Sequence, residues 1–227
     1  VTVASGVIGL LLAVALCALV HVAVMAFAGR ALGVALDELS FGLGPRLLRM
    51  GKLSIRLLPI GGAVRFQTAG GTMPADDADI HSQHLEAQPL WAQLFIGASG
   101  CLALIALACA LLGGMAGVQA LAGGFTNILI GALSPLHTAQ ALLARVDAAA
   151  HGLPFSTLLG LTAATTAALN LLPLPGANGG YLLGALGKSA GLGKHWPASV
   201  TQILLLAYVA LAASWLVAAV VYLNNGV

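Results

Sequence analysis

Between residues 3 and 28 the chain carries no charged side chain, and its first charge is Arg30. A helix of about 20 apolar residues crosses a bilayer. A signal sequence has an apolar region of roughly 7–15 residues behind a basic stretch. This run is longer and has no basic stretch before it, so it is expected to be a spanning helix. Three further stretches qualify: residues 90–113, 155–174 and 200–223. The third of the four spans holds five threonines and serines plus Asn170. Polar groups at membrane depth face protein or a cavity, so this helix is expected to be shielded from lipid by its neighbours.

Composition agrees. Apolar residues make up 59% of the chain and charged residues only 7%, against about 25% charged in soluble domains. Too few polar residues remain to build a water-facing surface, so the bilayer is the solvent for most of the chain. The net charge of +2 is too small for the electrostatic footprint of a nucleic-acid binder, so no nucleic-acid partner is expected. Cys17, Cys101 and Cys109 lie inside apolar stretches and read as small buried residues. With 227 residues and no linker-like tract, one domain over 1–227 is expected.

The basic residues are unevenly placed. Six of them (Arg30, Arg46, Arg49, Lys52, Arg56, Arg65) fall between the first two spans, Arg145 alone between the second and third, and Lys188 and Lys194 before the last. Positive loops stay in the cytoplasm, which places both ends of this chain on the outer side. Inside the first loop, residues 53–67 read as a β-hairpin, two short strands around a Gly61-Gly62 turn. Residues 72–86 read as a polar loop in solvent. The stretch 114–152 has helical patches, such as 138–150, and is expected at the outer interface.

Several motifs point to one family. His21 is followed at fixed offsets by Arg30, Gly33 and Val34. Ser40-Phe41-Gly42-Leu43-Gly44-Pro45 and Pro59-Ile60-Gly61-Gly62-Ala63-Val64-Arg65-Phe66 come next. Pro89-Leu90-Trp91 opens the second span. Ser134 to Gln140 forms a turn expected before the third span, and Asn170-Leu171-Leu172-Pro173-Leu174-Pro175-Gly176-Ala177-Asn178-Gly179-Gly180 closes the series. In order and spacing they resemble the motifs of site-2 proteases, the intramembrane zinc metalloproteases. The resemblance implies a membrane domain with a membrane-associated β-hairpin between its first two helices. The interval between the second and third spans, about 40 residues, is below usual domain size, so the PDZ domain found in one branch is not expected.

The catalytic pattern does not carry over. The family's His-Glu-x-x-His puts two imidazoles on one helix face, with the glutamate as base for the metal-bound water. His21 keeps the first ligand position, Val22 occupies the base position and Met25 the second ligand position, while Asn178 stands where the family has its aspartate ligand. A thioether and a neutral carboxamide are weak partners for Zn²⁺. The resemblance is therefore to an inactive member, a pseudoprotease, with no metal, no cofactor and no catalytic residue expected.

What remains is a binding surface. The resemblance places it at Gly61, Gly62 and Val64 of the hairpin and at Asn170, Pro173, Pro175 and Asn178 of the last motif. Strand addition needs only backbone groups, so it survives loss of the metal. The expected partners are other membrane proteins, with this chain as a binding or scaffold subunit of a larger complex in a membrane, the bacterial inner membrane being expected. Two alternatives stay open: a residual protease with an atypical metal site, and a soft-metal protein. Cys17, His21 and Met25 share a helix face and would suit Cu(I). His137 and His151 are expected too far from His21 to rebuild a zinc site, and His81 and His84 read as part of a solvated patch.

Overall fold

The computed structural model describes residues 3–67, 84–192 and 198–225. The expected polar loop falls outside the described residues as far as residue 83, and His81 with it. The elements run α1 (Val3–Ala31), β1 (Leu36–Met50), β2 (Leu53–Phe66), a 3-10 turn (Leu85–Ala87), α2 (Leu90–Leu112), α3 (Gly114–Leu133), α4 (Thr138–Gly152), α5 (Phe155–Leu171), α6 (Asn178–Ser189) and α7 (Ala198–Asn224).

Among the described residues, four helices are long and apolar enough to cross a membrane: α1, α2, α3 and α7. An α-helix satisfies its backbone within the segment, so it can cross hydrocarbon without exposing unpaired amides. The count of four matches expectation but the set does not. The stretch 155–174 is helical only to Leu171, giving an apolar helix of 17 residues. Its place among the long helices is taken by Gly114–Leu133, which was expected to lie at the interface. Glycines together with Gln119, Thr126 and Asn127 dilute that segment to a mean hydropathy of 1.4, against 2.4 to 2.8 for the other three.

Packed pairs establish the helix directions. Gly6 of α1 lies against His151, Gly160 of α5 against Leu111 and Leu112, and Gly117 of α3 against Cys109. His21 lies against Gly100 of α2 and hydrogen-bonds Asn178 just beyond α5. Helices α1, α3 and α5 therefore run one way, and α2 and α4 the other. The short α5 packs on α1, α2 and α3. Its Ala163, Ala164, Ala167 and Ala168 are all 0% exposed, so α5 is the centre of the bundle. Small side chains let backbones approach closely where hydrophobicity alone gives no drive to associate. Thr162 and Thr165 donate to Leu158 O and Leu161 O in their own helix, at 2.8 and 3.0 Å, which satisfies their hydroxyls without a partner.

The hairpin is longer than expected and turns elsewhere. β1 and β2 pair antiparallel from Leu36 opposite Phe66 to Met50 opposite Leu53, and the turn is at Gly51-Lys52. Both strands bend, so Leu39, Ser40 and Phe41 each have two partners: Val64, Ala63 and Gly62 on one side, and Leu53, Ser54 and Ile55 on the other. Residues 61–66 form one outer edge of the folded ribbon and residues 46–50 the other. Ser40 to Pro45 is strand, and Gly61-Gly62 lies inside β2 rather than at its turn. A Cβ on Gly62 would sit 2.7 Å from Ser40 O and 2.9 Å from Val22 Cγ1, so glycine lets β2 pass close to α1. Val34, Leu36, Phe66, Leu85 and Ile96 form the apolar cluster that anchors the base of the ribbon to the helices. The turn at Ser134 precedes α4 rather than α5, with Ser134 Oγ accepting from Thr138 N at 3.3 Å.

Candidate functional site

Residues far apart in sequence meet where the second half of α1 passes α2 and the ribbon. α1 carries His21 and Val22 side by side and Met25 one turn further on. After α5 the chain breaks at Leu172–Pro175, where proline removes amide donors and Leu174 N turns back to Leu172 O at 2.7 Å. It then re-enters helix at Asn178. A Cβ on Gly179 or Gly180 would clash with the carbonyls of Leu171, Leu172 or Leu174, so the Gly-Gly pair lets α6 start against the end of α5. This tight return is what brings Asn178 to α1.

The result is a closed polar cluster. Asn178 Nδ2 donates to Gly97 O at 2.5 Å and to Met25 Sδ at 3.0 Å. A carbonyl oxygen only accepts, so Gly97 O orients the carboxamide and leaves Oδ1 toward His21 Nε2, 3.2 Å away. Oδ1 also only accepts, so His21 Nε2 donates its proton to it. Nδ1 is buried without a well-formed hydrogen bond and lies against Gly100, where an added Cβ would be 2.6 Å from it. The Ser99-Gly100-Cys101 segment of α2 thus holds a position that only a missing side chain accommodates.

A zinc ion does not fit these residues. A ligating imidazole offers a lone pair to the metal and donates its other N–H to an acceptor. Here Nε2–H faces Asn178, and Nδ1, the remaining nitrogen, is packed against backbone. The thioether of Met25 is a soft donor and the carboxamide of Asn178 a neutral one, so neither supplies the charge or strong donor a zinc site uses, and Val22, only 2% exposed, offers no proton acceptor. Cys17, the third member of the soft-metal alternative, is packed among Leu104, Ala108, Ala163, Ala164 and Ala167 and does not line the cavity. His151 lies beside Gly6, fifteen residues before His21 and so roughly 22 Å along the helix.

Above the cluster lies a cavity of about 440 Å³. Gly62, Ala63, Val64 and Phe66 of the ribbon's edge form one wall, Ile96 and Gly97 of α2 another, and Asn170 with Pro175–Asn178, Gly180 and Tyr181 a third. None of the lining residues carries a formal charge when His21 is neutral. Of the expected binding residues, Gly62, Val64, Asn170, Pro175 and Asn178 line this cavity. Gly61 lines a smaller pocket of about 50 Å³ with His21, Thr166 and Asn170, and Pro173 lines neither, being exposed at the turn. Tyr181 was missed. Its hydroxyl is buried with no hydrogen-bond partner, and burial, then the nearby Glu86 carboxylate, push its pKa up to about 12. Its position directly after the Gly-Gly pair was the available signal.

Among curated proteins nothing matches the chain. The sequence model of Peptidase family M50 matches residues 7–215, an interval that contains α1 from its second turn, the whole ribbon, α2 to α6 and most of α7. The chain therefore belongs to Peptidase family M50, the site-2 protease family.

Proposed function

We propose that this protein is a non-catalytic member of its family that holds a segment of another membrane protein, as a binding or scaffold subunit of a larger complex. The observation that carries the reading is the His21–Asn178–Met25 cluster. The groups at the family's metal positions are hydrogen-bonded to one another, and an apolar valine fills the place of the base. Hydrolysis needs an activated water and a metal or proton acceptor to generate it, and these residues supply neither.

The cavity supports a binding role. Its wall is an outer sheet edge, which takes up an extended segment through backbone hydrogen bonds, and its uncharged lining favours an uncharged occupant. Extended backbone at membrane depth is tolerated where protein surrounds it. The distribution of Lys and Arg supports an orientation with both ends of this chain on the outer side.

Purification in mild detergent, with a photo-crosslinking residue at Val64 and a control at Leu206 on the far helix, tests the reading. A stoichiometric protein adduct specific to Val64 is the expected result. A clean monomer without adduct, or stoichiometric zinc that is lost in His21→Ala together with cleavage of a membrane substrate, overturns it.

A further inference from the structure

The small pocket beside the main cavity is as informative as the cavity itself. Val14 and Ala18 of α1, Gly61 of the ribbon's edge and Thr166 of α5 line it, and its volume is about 50 Å³. His21, Gly62 and Asn170 line both spaces, so the two adjoin at these three residues. The edge of β2 from Gly61 to Phe66 therefore passes a narrow pocket first and then a wide one of about 440 Å³. The backbone explains the step in width. At the narrow end α1 and α5 pack on each other, with Ala18 only 4% exposed. At the wide end α5 has already stopped at Leu171, and the return from Pro175 to Asn178 forms the wall instead.

The spacing of the two pockets matches an extended chain. Val14, Ala18 and His21 of α1 line the narrow one, and His21, Val22 and Met25 the wide one. From Ala18 to Val22, the middle members of these sets, is about one helical turn, roughly 6 Å along the axis. An extended segment covers that distance in about two residues, and residues two apart point to the same face. A segment paired with this edge thus presents alternate side chains to the two pockets. Liquid water occupies about 30 Å³ per molecule, so the narrow pocket admits a group of methyl or hydroxymethyl size. The wide one admits a complete aromatic or leucine side chain. Neither carries a formal charge when His21 is neutral.

We infer that the groove selects its occupant by size: an uncharged extended segment with Gly, Ala or Ser in the narrow pocket and a bulky apolar residue two positions away in the wide one. The inference rests on the binding role proposed above and adds which segments are held. Val14 and Thr166 set the limit at the narrow end, since they are the two lining side chains there, apart from His21 and Asn170, that are larger than a methyl group. Overfilling a packed pocket forces strain, and underfilling a cavity forfeits contacts. A misfit of one methylene in an apolar pocket shifts selection by about 10-fold or more.

The test titrates the full chain in mixed micelles with dansyl-labelled transmembrane peptides, read by energy transfer from the chain's tryptophans. The peptides share one apolar, tryptophan-free host, interrupted by proline so that its centre can extend. They differ only at two central positions, one residue apart: Ala and Phe, Leu and Phe, or Ala and Ala. The Ala/Phe peptide is expected to bind tightest. Leu/Phe, too large for the narrow pocket in either chain direction, and Ala/Ala, too small for the wide one, should each bind about 10-fold or more weaker. Val14→Ala/Thr166→Ala enlarges the narrow pocket and is expected to restore Leu/Phe to within about threefold of Ala/Phe, a gain that a damaged fold does not produce. Equal binding of the three peptides by the wild-type chain overturns the inference, and so does a Leu/Phe defect that persists in a folded double variant. Binding of none of them also overturns it. In that case a protein adduct at Val64 would keep the binding role and strike only the selection by size, whereas absence of the adduct would strike both.

Discussion

Helices α5 and α7 are both apolar, yet they are used in opposite ways. α7 runs from Ala198 to Asn224, and its best 18-residue window is only 6% buried by protein. α5 is 17 residues long and carries threonines and an asparagine, yet buries its alanines completely. Hydropathy identifies segments that tolerate lipid. It does not identify the segment that the others pack against, because lipid tails are as apolar as leucine and reward a leucine surface equally. What selects the centre is small side chains, which permit close backbone approach, and polar groups that satisfy themselves. α7 is joined to the bundle by a few specific contacts: Ser214 Oγ to Ala132 O, Trp215 Nε1 to Ile128 O at 3.0 Å and Gln140 to Ala218 O at 3.0 Å.

The contrast can be broken by substitution. Ala164→Leu inserts three heavy atoms into the 0% exposed centre of α5 and is expected to cost about 1–3 kcal/mol or more, as overpacking does. Reversible unfolding in mixed micelles or steric trapping would measure it, and a neutral result would remove α5 from the centre. Asn178→Leu, at the end of the α5 return, removes the partner of Gly97 O and of His21 Nε2. Leaving buried polar groups unpaired costs about 1–3 kcal/mol, so the same assay should report a loss of that order, with local deprotection of α6 amides in hydrogen exchange.

Smaller effects are expected along α7. Trp215→Phe deletes a single hydrogen bond and should cost about 0.5–1.5 kcal/mol; a larger loss would mean α7 is more than peripheral. Leu206→Ala, at a side chain 69% exposed, should stay within about 0.5 kcal/mol, as substitutions away from packed features do. A strong effect of Leu206→Ala on a co-purifying complex but not on the isolated chain would identify α7 as a protein interface rather than a lipid-facing helix.

The candidate site was legible only in part. His21 and Met25 are one helical turn apart with Val22 beside His21, and the Asn170–Gly180 motif announced Asn178, so the pairing of the two segments followed from the family pattern. That the carboxamide closes on Gly97 O, and so turns its oxygen toward the imidazole, was not legible. Gly97 is one glycine in an apolar helix, with nothing in its neighbours to distinguish it. The ribbon was misplaced for a related reason. Gly61-Gly62 carries the composition of a turn, but its glycines serve a close passage beside Val22, a demand created by a helix forty residues earlier.

The sequence by itself determined the solvent, the helical class and the family, because these depend on properties summed along a segment: hydropathy over twenty residues and motifs in a set order. The tertiary structure decided which helix is central, where the ribbon turns, and that His21, Met25 and Asn178 are tied to one another beneath an uncharged cavity. Those outcomes depend on distances between segments, where a single absent Cβ or one backbone carbonyl decides which side chains meet.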